Sequence, residues 1–191
     1  MKKYTALLLT FAMLLTLLAG CGKSEPEATV PAHELPASAL EILETVWANY
    51  DEAEKFSVIG GNIEANIMDA PGNVDMAYAG HLNYNLLVPE AQTANVTEAA
   101  SMIHMMNANT FTCGVFKLAD GVKAADFGAA MKDAVLNNQW MCGFPDSVLI
   151  RSFGDTYVVV AFGVNDAMTP FEQHLSAAYP GMETIANEPI A

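Results

Sequence analysis

Apolar residues at helical spacing open the regular part of the chain. Ser38-Ala39-Leu40-Glu41 has the form of a capping box, in which the serine and the glutamate each accept a backbone N–H. Apolar side chains then recur three or four positions apart up to Tyr50, which predicts a helix at about 39–53. The stretch 55–90 has no clear period, and we predict in it only a short strand near 82–88.

The next part of the chain predicts a helix, a strand and a second helix. Asn95-Val96-Thr97-Glu98 has the form of a helix start, and we expect that helix to run to about Asn107. The segment 110–118 is rich in Thr, Phe and Val, which favours a strand. After a turn at Asp120-Gly121, apolar residues on one face predict a helix at about 122–139.

The last part predicts a hairpin and a helix. Two apolar runs, 147–153 and 156–162, flank Gly154-Asp155, which favours a two-residue turn. Thr169-Pro170-Phe171-Glu172 then predicts a helix start, because proline suits the first helical position. A strand-helix-strand link predicts a parallel pair, to which the hairpin adds an antiparallel strand. We therefore expect an α+β fold, a two-layer sandwich in which helices cover one face of a small mixed β-sheet.

The first residues form a targeting segment rather than part of that fold. Lys2 and Lys3 precede an apolar run at 6–18, which is too short to span a membrane and is typical of a secretory signal. The run ends in Leu18-Ala19-Gly20-Cys21, which resembles the lipobox of bacterial lipoproteins. The resemblance implies that signal peptidase recognises Leu18, Ala19 and Gly20, and that Cys21 is lipidated and becomes the first mature residue.

These features predict the organisation of the whole chain. Residues 1–20 are a lipoprotein signal peptide, and 21–37 are the lipidated cysteine with a flexible tether, in which three prolines disfavour a packed core. Residues 38–182 form a single α+β domain, and 183–191 a C-terminal tail. We expect the protein to be held by lipid on the outer face of the bacterial cytoplasmic membrane.

Charge limits the partners of the mature chain. Eight Lys and Arg residues oppose 22 Asp and Glu residues, and removal of Lys2 and Lys3 leaves six cations against 22 anions, a formal charge of −16. Nucleic acids require clustered cations, so none is expected as a partner. Apart from the membrane, reached through the lipid on Cys21, we expect an envelope protein or a small ligand as partner.

The two side-chain thiols are the sharpest chemical candidates. Trp140-Met141-Cys142-Gly143-Phe144-Pro145 faintly resembles the thioredoxin signature, in which two cysteines three residues apart exchange electrons. Pro145 stands where that family has its second cysteine, so we interpret the segment as a loop whose apolar side chains pack inward. Cys113 lies in a predicted strand, and with Cys142 it forms either a disulfide, which an exported location permits, or a pair of free thiols.

The remaining candidates are a methionine cluster and an amide cluster. Met102-Ile103-His104-Met105-Met106 contains ligands that Cu(I) accepts, but on a helix it forms a core stripe with an outward histidine, so no metal site or cofactor is predicted. No catalytic motif is found, and no catalytic residue is predicted. Amides near element ends more often cap turns than bind ligands. If a small polar ligand binds, its expected contacts are Asn107, Asn109, Asn138, Gln139 and Trp140.

Two segments, Met105–Gly114 and Asn138–Pro145, resemble parts of small lipoproteins of Gram-positive gut anaerobes, over about 38–180. The resemblance implies an extracellular location and a compact α+β domain, and it supplies no catalytic residue. Some members are labelled bacteriocin transport accessory protein, which implies a thioredoxin-like role. Two hypotheses remain: a non-catalytic binding or accessory module, and a thiol-dependent redox or transport-accessory protein that uses Cys142 and Cys113.

Overall fold

Eight strands form one sheet within residues 35–190, the part of the chain that the computed structural model describes. In chain order the strands are β1 (Val58–Gly60), β2 (Ile67–Met68), β3 (Gly72–Val74), β4 (Val96–His104), β5 (Phe111–Leu118), β6 (Ser147–Phe153), β7 (Tyr157–Gly163) and β8 (Glu183–Pro189). The predicted signal peptide, the lipobox with Cys21, and the tether up to Glu34 lie outside the described residues.

The sheet is antiparallel throughout. Its strand order is β2-β1-β4-β5-β7-β6-β8, and β3 also pairs with β4, alongside β1. The β5 and β6 strands run in the same direction, but β7 lies between them and pairs with both. The α+β class is thus confirmed, whereas the predicted parallel pair and mixed sheet are wrong, because the hairpin strand inserts between the two strands that the helix connects.

Helices cover both faces of this sheet. The α-helices are α1 (Ala39–Ala48), α2 (Ala79–Tyr84), α3 (Ala124–Leu136) and α4 (Asn165–Ala178), and two 3-10 helices cover Ile63–Ala65 and Glu90–Asn95. One core contains the buried sides of α1 and α4, and a second core those of α2 and α3. The predicted two-layer arrangement with helices on one face is therefore wrong. In the described residues no helix has the length and apolar character needed to cross a membrane.

Strand β7 shows how the two cores share the sheet. Tyr157, Val159 and Ala161 lie in the core under α1 and α4, and the alternate residues Val158 and Val160 lie in the core under α3. Successive side chains of a strand point to opposite faces, so a central strand of this sheet is apolar at nearly every position. That requirement explains the uninterrupted apolar sequence of 157–162.

Several predicted elements are confirmed with small shifts. Helices α1 and α3 and strands β5, β6 and β7 lie where they were predicted, although α1 ends at Ala48. Ser38 Oγ accepts the N–H of Glu41 at 3.0 Å, as a capping box requires. The Glu41 carboxylate, however, accepts the N–H of Ala37 rather than that of Ser38.

The segment predicted as a helix at 95–107 is strand β4. Met102 faces the core under α1, whereas Ala99 and Ile103 face the other core, so both sides of the segment are buried. Ser101 fits there because its hydroxyl accepts the N–H of Gly61 at 3.0 Å and donates to the carbonyl of Gly61 at 3.2 Å. Burial between two layers outweighs the helical preference of Ala and Met.

The predicted strand at 82–88 is also wrong. Helix α2 ends at Tyr84, and an irregular segment carries the buried side chains of Leu86 and Val88 into the core. Leu87 between them has a positive φ of 56°, which an extended strand excludes. The buried side chains of this segment therefore reach the core from a turn, although their alternation along the sequence is typical of a strand.

The start of α4 and the end of the chain also differ from the prediction. Helix α4 begins at Asn165, before the predicted start, because Asp146 Oδ2 accepts the Asn165 N–H at 2.8 Å. Pro170 consequently lies inside the helix. The segment predicted as a tail, 183–191, contributes strand β8, which pairs with β6.

The hairpin between β6 and β7 has the predicted turn but one more residue than expected. The N–H of Thr156 donates to the carbonyl of Phe153 at 3.0 Å, with Gly154 and Asp155 at the centre of the turn. Gly154 has a φ of +48°, a conformation that glycine adopts without strain. Strand pairing starts at Phe153 and Tyr157, so the loop contains three residues rather than two.

Candidate functional site

Two loops meet at one end of the sheet, and we call them together the tip. The first is the turn 105–110 between β4 and β5, and the second is the loop 137–146 between α3 and β6. Strand pairing of Phe111 and Ser147 with Gly163 places both loops at the same sheet end. The tip contains most of the site residues that the sequence suggested.

Two asparagine side chains join these loops. The amide nitrogen of Asn109 donates to the carbonyl oxygens of Met141, at 2.7 Å, and Gly143, at 2.9 Å. The amide nitrogen of Asn107 donates to the carbonyl of Cys142 at 3.0 Å. The carbonyl oxygen of the Asn107 side chain accepts the Asn109 N–H at 3.0 Å, which orients both amides. We call these contacts the amide clamp.

The clamp changes the role of the predicted ligand contacts. Asn107 and Asn109 bind the backbone of the neighbouring loop, which is the structural use of amides that the sequence analysis weighed as the alternative. Asn138 and Gln139 follow α3, and the N–H of Asn138 donates to the carbonyl of Val135 at 3.3 Å. Trp140 packs its ring against Phe162 at a centroid distance of 5.3 Å.

The clamp holds an unusual backbone at Cys142. Cys142 has a φ of +64° and Gly143 a φ of +128°. A left-handed conformation costs a residue with a Cβ about 1–2 kcal/mol. Hydrogen bonds to the carbonyls of Met141, Cys142 and Gly143 help to offset that cost, so the loop has one defined shape.

The two thiols lie in different environments. Cys113 is fully buried in β5, paired with Ala161 on one side and Met102 on the other. Burial raises the pKa of the Cys113 thiol far above its ordinary value, so the reactive thiolate is suppressed. Cys142 is exposed, and both cysteines are free, so no disulfide joins them.

The methionine-histidine run 102–106 is dispersed by the strand. Met102 is buried in the core, whereas Met105 and Met106 are exposed beyond the end of β4. The Nδ1 atom of His104 accepts the N–H of Met106 at 3.2 Å and that of Asn107 at 3.3 Å, so the imidazole closes the turn. Among residues 35–190, no three His, Cys, Asp or Glu side chains are grouped so that they could hold a metal ion.

Large apolar side chains are exposed at the tip, and sequence reasoning missed them. Met106, Met141 and Phe144 are 78%, 79% and 72% exposed, and Met105 is 38% exposed. Met141 and Phe144 were predicted to pack inward, which is wrong, because the clamp holds the loop backbone at 141–143 in a conformation that leaves both side chains exposed. We call these four side chains the tip patch. No period of the sequence signals them.

A second site lies far from the predicted residues, in the segment between β1 and β4. A cleft of about 240 Å³ is lined by Ile63, Glu64, Tyr78, Gly80, His81, Tyr84 and Asn85. His81 is buried, and its Nε2 atom has no hydrogen-bond partner among the described residues. The sequence gives no positive indication of this cleft, since the segment that forms it has no regular apolar period.

Another cavity, of about 270 Å³, lies between the start of α4 and strands β6 and β8. Its lining includes Asp146, Glu172 and Glu188, of which Glu172 pairs with Arg151 at 3.0 Å and Asp146 caps α4. These side chains already have structural partners in the fold, and we assign no ligand to them.

No protein-family model, no curated protein and no solved structure matches this chain significantly. The resemblance to small lipoproteins of Gram-positive anaerobes therefore stays a prediction. The function is inferred below from the chemistry of the described side chains.

Proposed function

We propose that this chain is a membrane-anchored extracellular lipoprotein whose domain is a non-catalytic binding or accessory module, and that it contacts an envelope protein through the tip patch. The observation that carries the proposal is the exposure of Met106, Met141 and Phe144 on two loops that the amide clamp holds together. Groups of exposed apolar side chains are typical of surfaces that bind other molecules.

The chemistry of the patch suits a protein partner. Methionine is flexible and polarizable, and it adapts to an irregular apolar surface. Aromatic and methionine side chains are enriched at the centres of protein interfaces. The clamp fixes the backbone under Met141 before any partner arrives, so binding loses little conformational entropy in that loop.

The tip lies at the opposite end of β4 from the point where the described chain enters the domain. The N–H of Ala39, at the start of α1, donates to the Glu98 carboxylate at 2.6 Å, so the chain enters the domain near the start of β4. The tip begins just after His104, at the other end of that strand. β4 has nine residues, so at roughly 3.3 Å per residue its two ends are about 26 Å apart.

Charge defines the partner further. The full chain has a formal charge of −14, whereas the exposed side chains of the tip patch are uncharged. Two copies of the chain would bring two large negative net charges together, which disfavours self-association. We therefore expect a partner with an apolar segment in a neutral or basic surrounding.

The geometry does not favour the thiol-dependent alternative. A redox pair needs two thiols that reach each other, and a reactive one needs access to its substrate. Cys113 is buried under α1 and α4, and it is reached from neither the tip nor the solvent. Cys142 lacks a second cysteine in its own loop.

Site-specific photo-crosslinking in cells tests the proposal. A photoreactive amino acid replaces Met141 or Phe144 in the full chain, and a matched control replaces Asp120, which is exposed on the turn after β5. We expect the same crosslinked protein from both tip positions and none from the control. The Asn109→Ala variant should reduce that crosslink. Equal crosslinking from all three positions, or none from the tip, would contradict the proposal.

The anchor needs a separate measurement. We expect the Cys21→Ser variant to leave the membrane fraction and the native chain to incorporate labelled fatty acid. Retention of the variant in the membrane fraction, together with no incorporation by the native chain, would overturn the proposed location. The amide clamp and the exposure of the tip patch do not depend on that result, whereas the choice of an envelope protein as partner does.

A further inference from the structure

The imidazole of His104 holds the turn that carries the two asparagines of the amide clamp. Its Nδ1 atom accepts the N–H of Met106 at 3.2 Å and the N–H of Asn107 at 3.3 Å. An imidazole nitrogen accepts hydrogen bonds only while it carries no proton, because both ring nitrogens of a protonated histidine are donors. The closed turn therefore requires a neutral His104 whose proton is on Nε2.

Asn107 connects this histidine to the amide clamp. Its backbone N–H donates to His104, and its side-chain nitrogen donates to the carbonyl of Cys142 at 3.0 Å. Its side-chain oxygen accepts the N–H of Asn109 at 3.0 Å. A change of backbone position at Asn107 therefore disturbs both amides that hold the loop 137–146.

Other contacts hold the ends of the turn without His104. The N–H of Met105 donates to the carbonyl of Ser57 at 3.0 Å, and the N–H of Thr110 donates to the carbonyl of Asn107 at 2.9 Å. Both contacts join backbone groups, which do not titrate. Loss of the His104 acceptor would therefore loosen the middle of the turn and leave the sheet folded.

The imidazole is accessible to protons from solvent. His104 is the last residue of β4, and it is half-buried. Its ring stacks on Phe56 with the centroids 5.5 Å apart and the planes inclined by 20°. This stack fixes the plane of the imidazole, so Nδ1 stays directed at the turn.

The charged groups around His104 do not pair with it. Within residues 35–190 His104 forms no ion pair. The turn and β1 contain no titratable side chain, and β5 contains only the buried Cys113 and, near its other end, Lys117. The segment 51–57 and the loop 137–146 contribute Asp51, Glu52, Glu54, Lys55, Cys142 and Asp146. A proton on Nδ1 would therefore gain no salt bridge that offsets the two lost hydrogen bonds.

We propose that the turn 105–110 is a pH-sensitive switch, in which a proton on His104 releases the N–H groups of Met106 and Asn107, loosens the amide clamp and weakens the binding of a partner to the tip patch. Histidine changes its charge between about pH 5 and pH 8. The tip is then closed at neutral pH and loosened in mildly acidic surroundings. The effect on the partner rests on the proposed function, whereas the effect on the turn does not.

Amide hydrogen exchange of the purified full chain in detergent tests the switch without a partner. Nuclear magnetic resonance compares single N–H groups at about pH 7.5 and pH 5.5, after correction for the intrinsic dependence of exchange on pH. We expect the protection of Met106, Asn107 and Asn109 to fall about tenfold at the lower pH, which corresponds to about 1.4 kcal/mol. Protection in β7 should stay unchanged. Equal protection of the turn at both pH values would overturn the switch.

Two substitutions separate the titration of His104 from its role as an acceptor. His104→Asn keeps an acceptor that does not titrate, because asparagine side chains accept the backbone N–H two residues on. We expect this variant to stay protected at both pH values, and His104→Ala to lose protection at both. His174→Gln is the matched control, since it replaces a half-buried histidine outside the tip, and it should respond as the native chain does. A native response in His104→Asn would overturn the assignment to His104.

Photo-crosslinking from position 144 in cells, at the same two external pH values, tests the effect on the partner. We expect a weaker crosslink at the lower pH in the native background, and an unchanged one in His104→Asn. A native crosslink of equal strength at both pH values would overturn the regulation of binding. Absence of a crosslink at either pH would contradict the proposed function instead, and the exchange measurement would still decide the switch.

Discussion

The side-chain amide of Asn107 lies 3.0 Å from the backbone carbonyl of Cys142, and it joins two loops that are 35 residues apart in the sequence. Cys142 has a left-handed backbone, and it is exposed with Met141 and Phe144 beside it. The shape of the tip patch thus depends on the polar contacts of the amide clamp. Substitutions of the clamp should change the tip without disturbing the sheet.

The stability of the Asn109→Ala variant tests how much the tip depends on the amide clamp. The substitution removes the donor to Met141 and Gly143, so we expect the free energy of unfolding to fall by about 1–2 kcal/mol. Hydrogen exchange should accelerate at 141–146 and stay slow in β7. Gln139→Ala is the control, because Gln139 is an exposed amide in the same loop. Equal effects of the two variants would contradict the clamp.

The two thiols should react differently with a maleimide. We expect rapid labelling of Cys142 in the folded chain, and labelling of Cys113 only after denaturation, because Cys113 is fully buried. Mass spectrometry of digested protein identifies each labelled cysteine. Cys142→Ser should abolish the rapid phase. Rapid labelling of Cys113 in the native state would contradict the structure and reopen the thiol-dependent alternative.

His81 gives the stability of the domain a dependence on pH. Because its pKa is lowered in the folded state, the unfolded chain binds more protons below 6.5. His81 therefore leaves the free energy of unfolding at its full value above that pH, and this free energy decreases as the pH falls below it. Denaturant unfolding between about pH 5.5 and pH 7.5 should show this loss. His81→Gln should flatten the dependence, whereas an unchanged slope in a folded variant would exclude His81 as its source.

The cap of α4 predicts a further stability change. Asp146 accepts the first N–H of the helix at 2.8 Å from outside it, across 19 residues of sequence. We expect Asp146→Ala to lower the free energy of unfolding by about 1 kcal/mol, the usual cost of a lost cap. Chemical denaturation measures the change, with Asp120→Ala as an exposed control. A variant as stable as the control would exclude the cap.

Elements with one buried face could be predicted from the sequence. The apolar period of α3 and the hairpin turn at Gly154-Asp155 depend on neighbours along the chain. The helix and the position of the turn are confirmed, although the hairpin loop has three residues rather than the two predicted. Strand β4 could not be predicted, because its Ala and Met residues favour helices and only burial between two helical layers makes it a strand. The same burial turns the expected one-sided sheet into the centre of three layers.

The candidate site also depends on contacts between distant segments, which the sequence could not predict. The sequence placed amides at 107 and 109 and an aromatic loop around Cys142, but it contained no information that these segments touch. Their contact depends on β7, which pairs with both β5 and β6 and so brings the two loops to one sheet end. The cleft at His81 is less predictable still, since its lining comes from a segment without any regular period.

The position of β7 has a consequence for the order in which the protein can fold. A chain made or translocated from its amino terminus presents β5 and β6 before the strand that belongs between them. Until residue 163 has emerged, β5 has only one neighbour, and β6 can join the rest of the sheet only through β7. The edge of β6 stays open until β8, at Glu183–Pro189, appears. Unpaired strand edges promote aggregation, so the nascent chain needs protection until β8 has paired with β6.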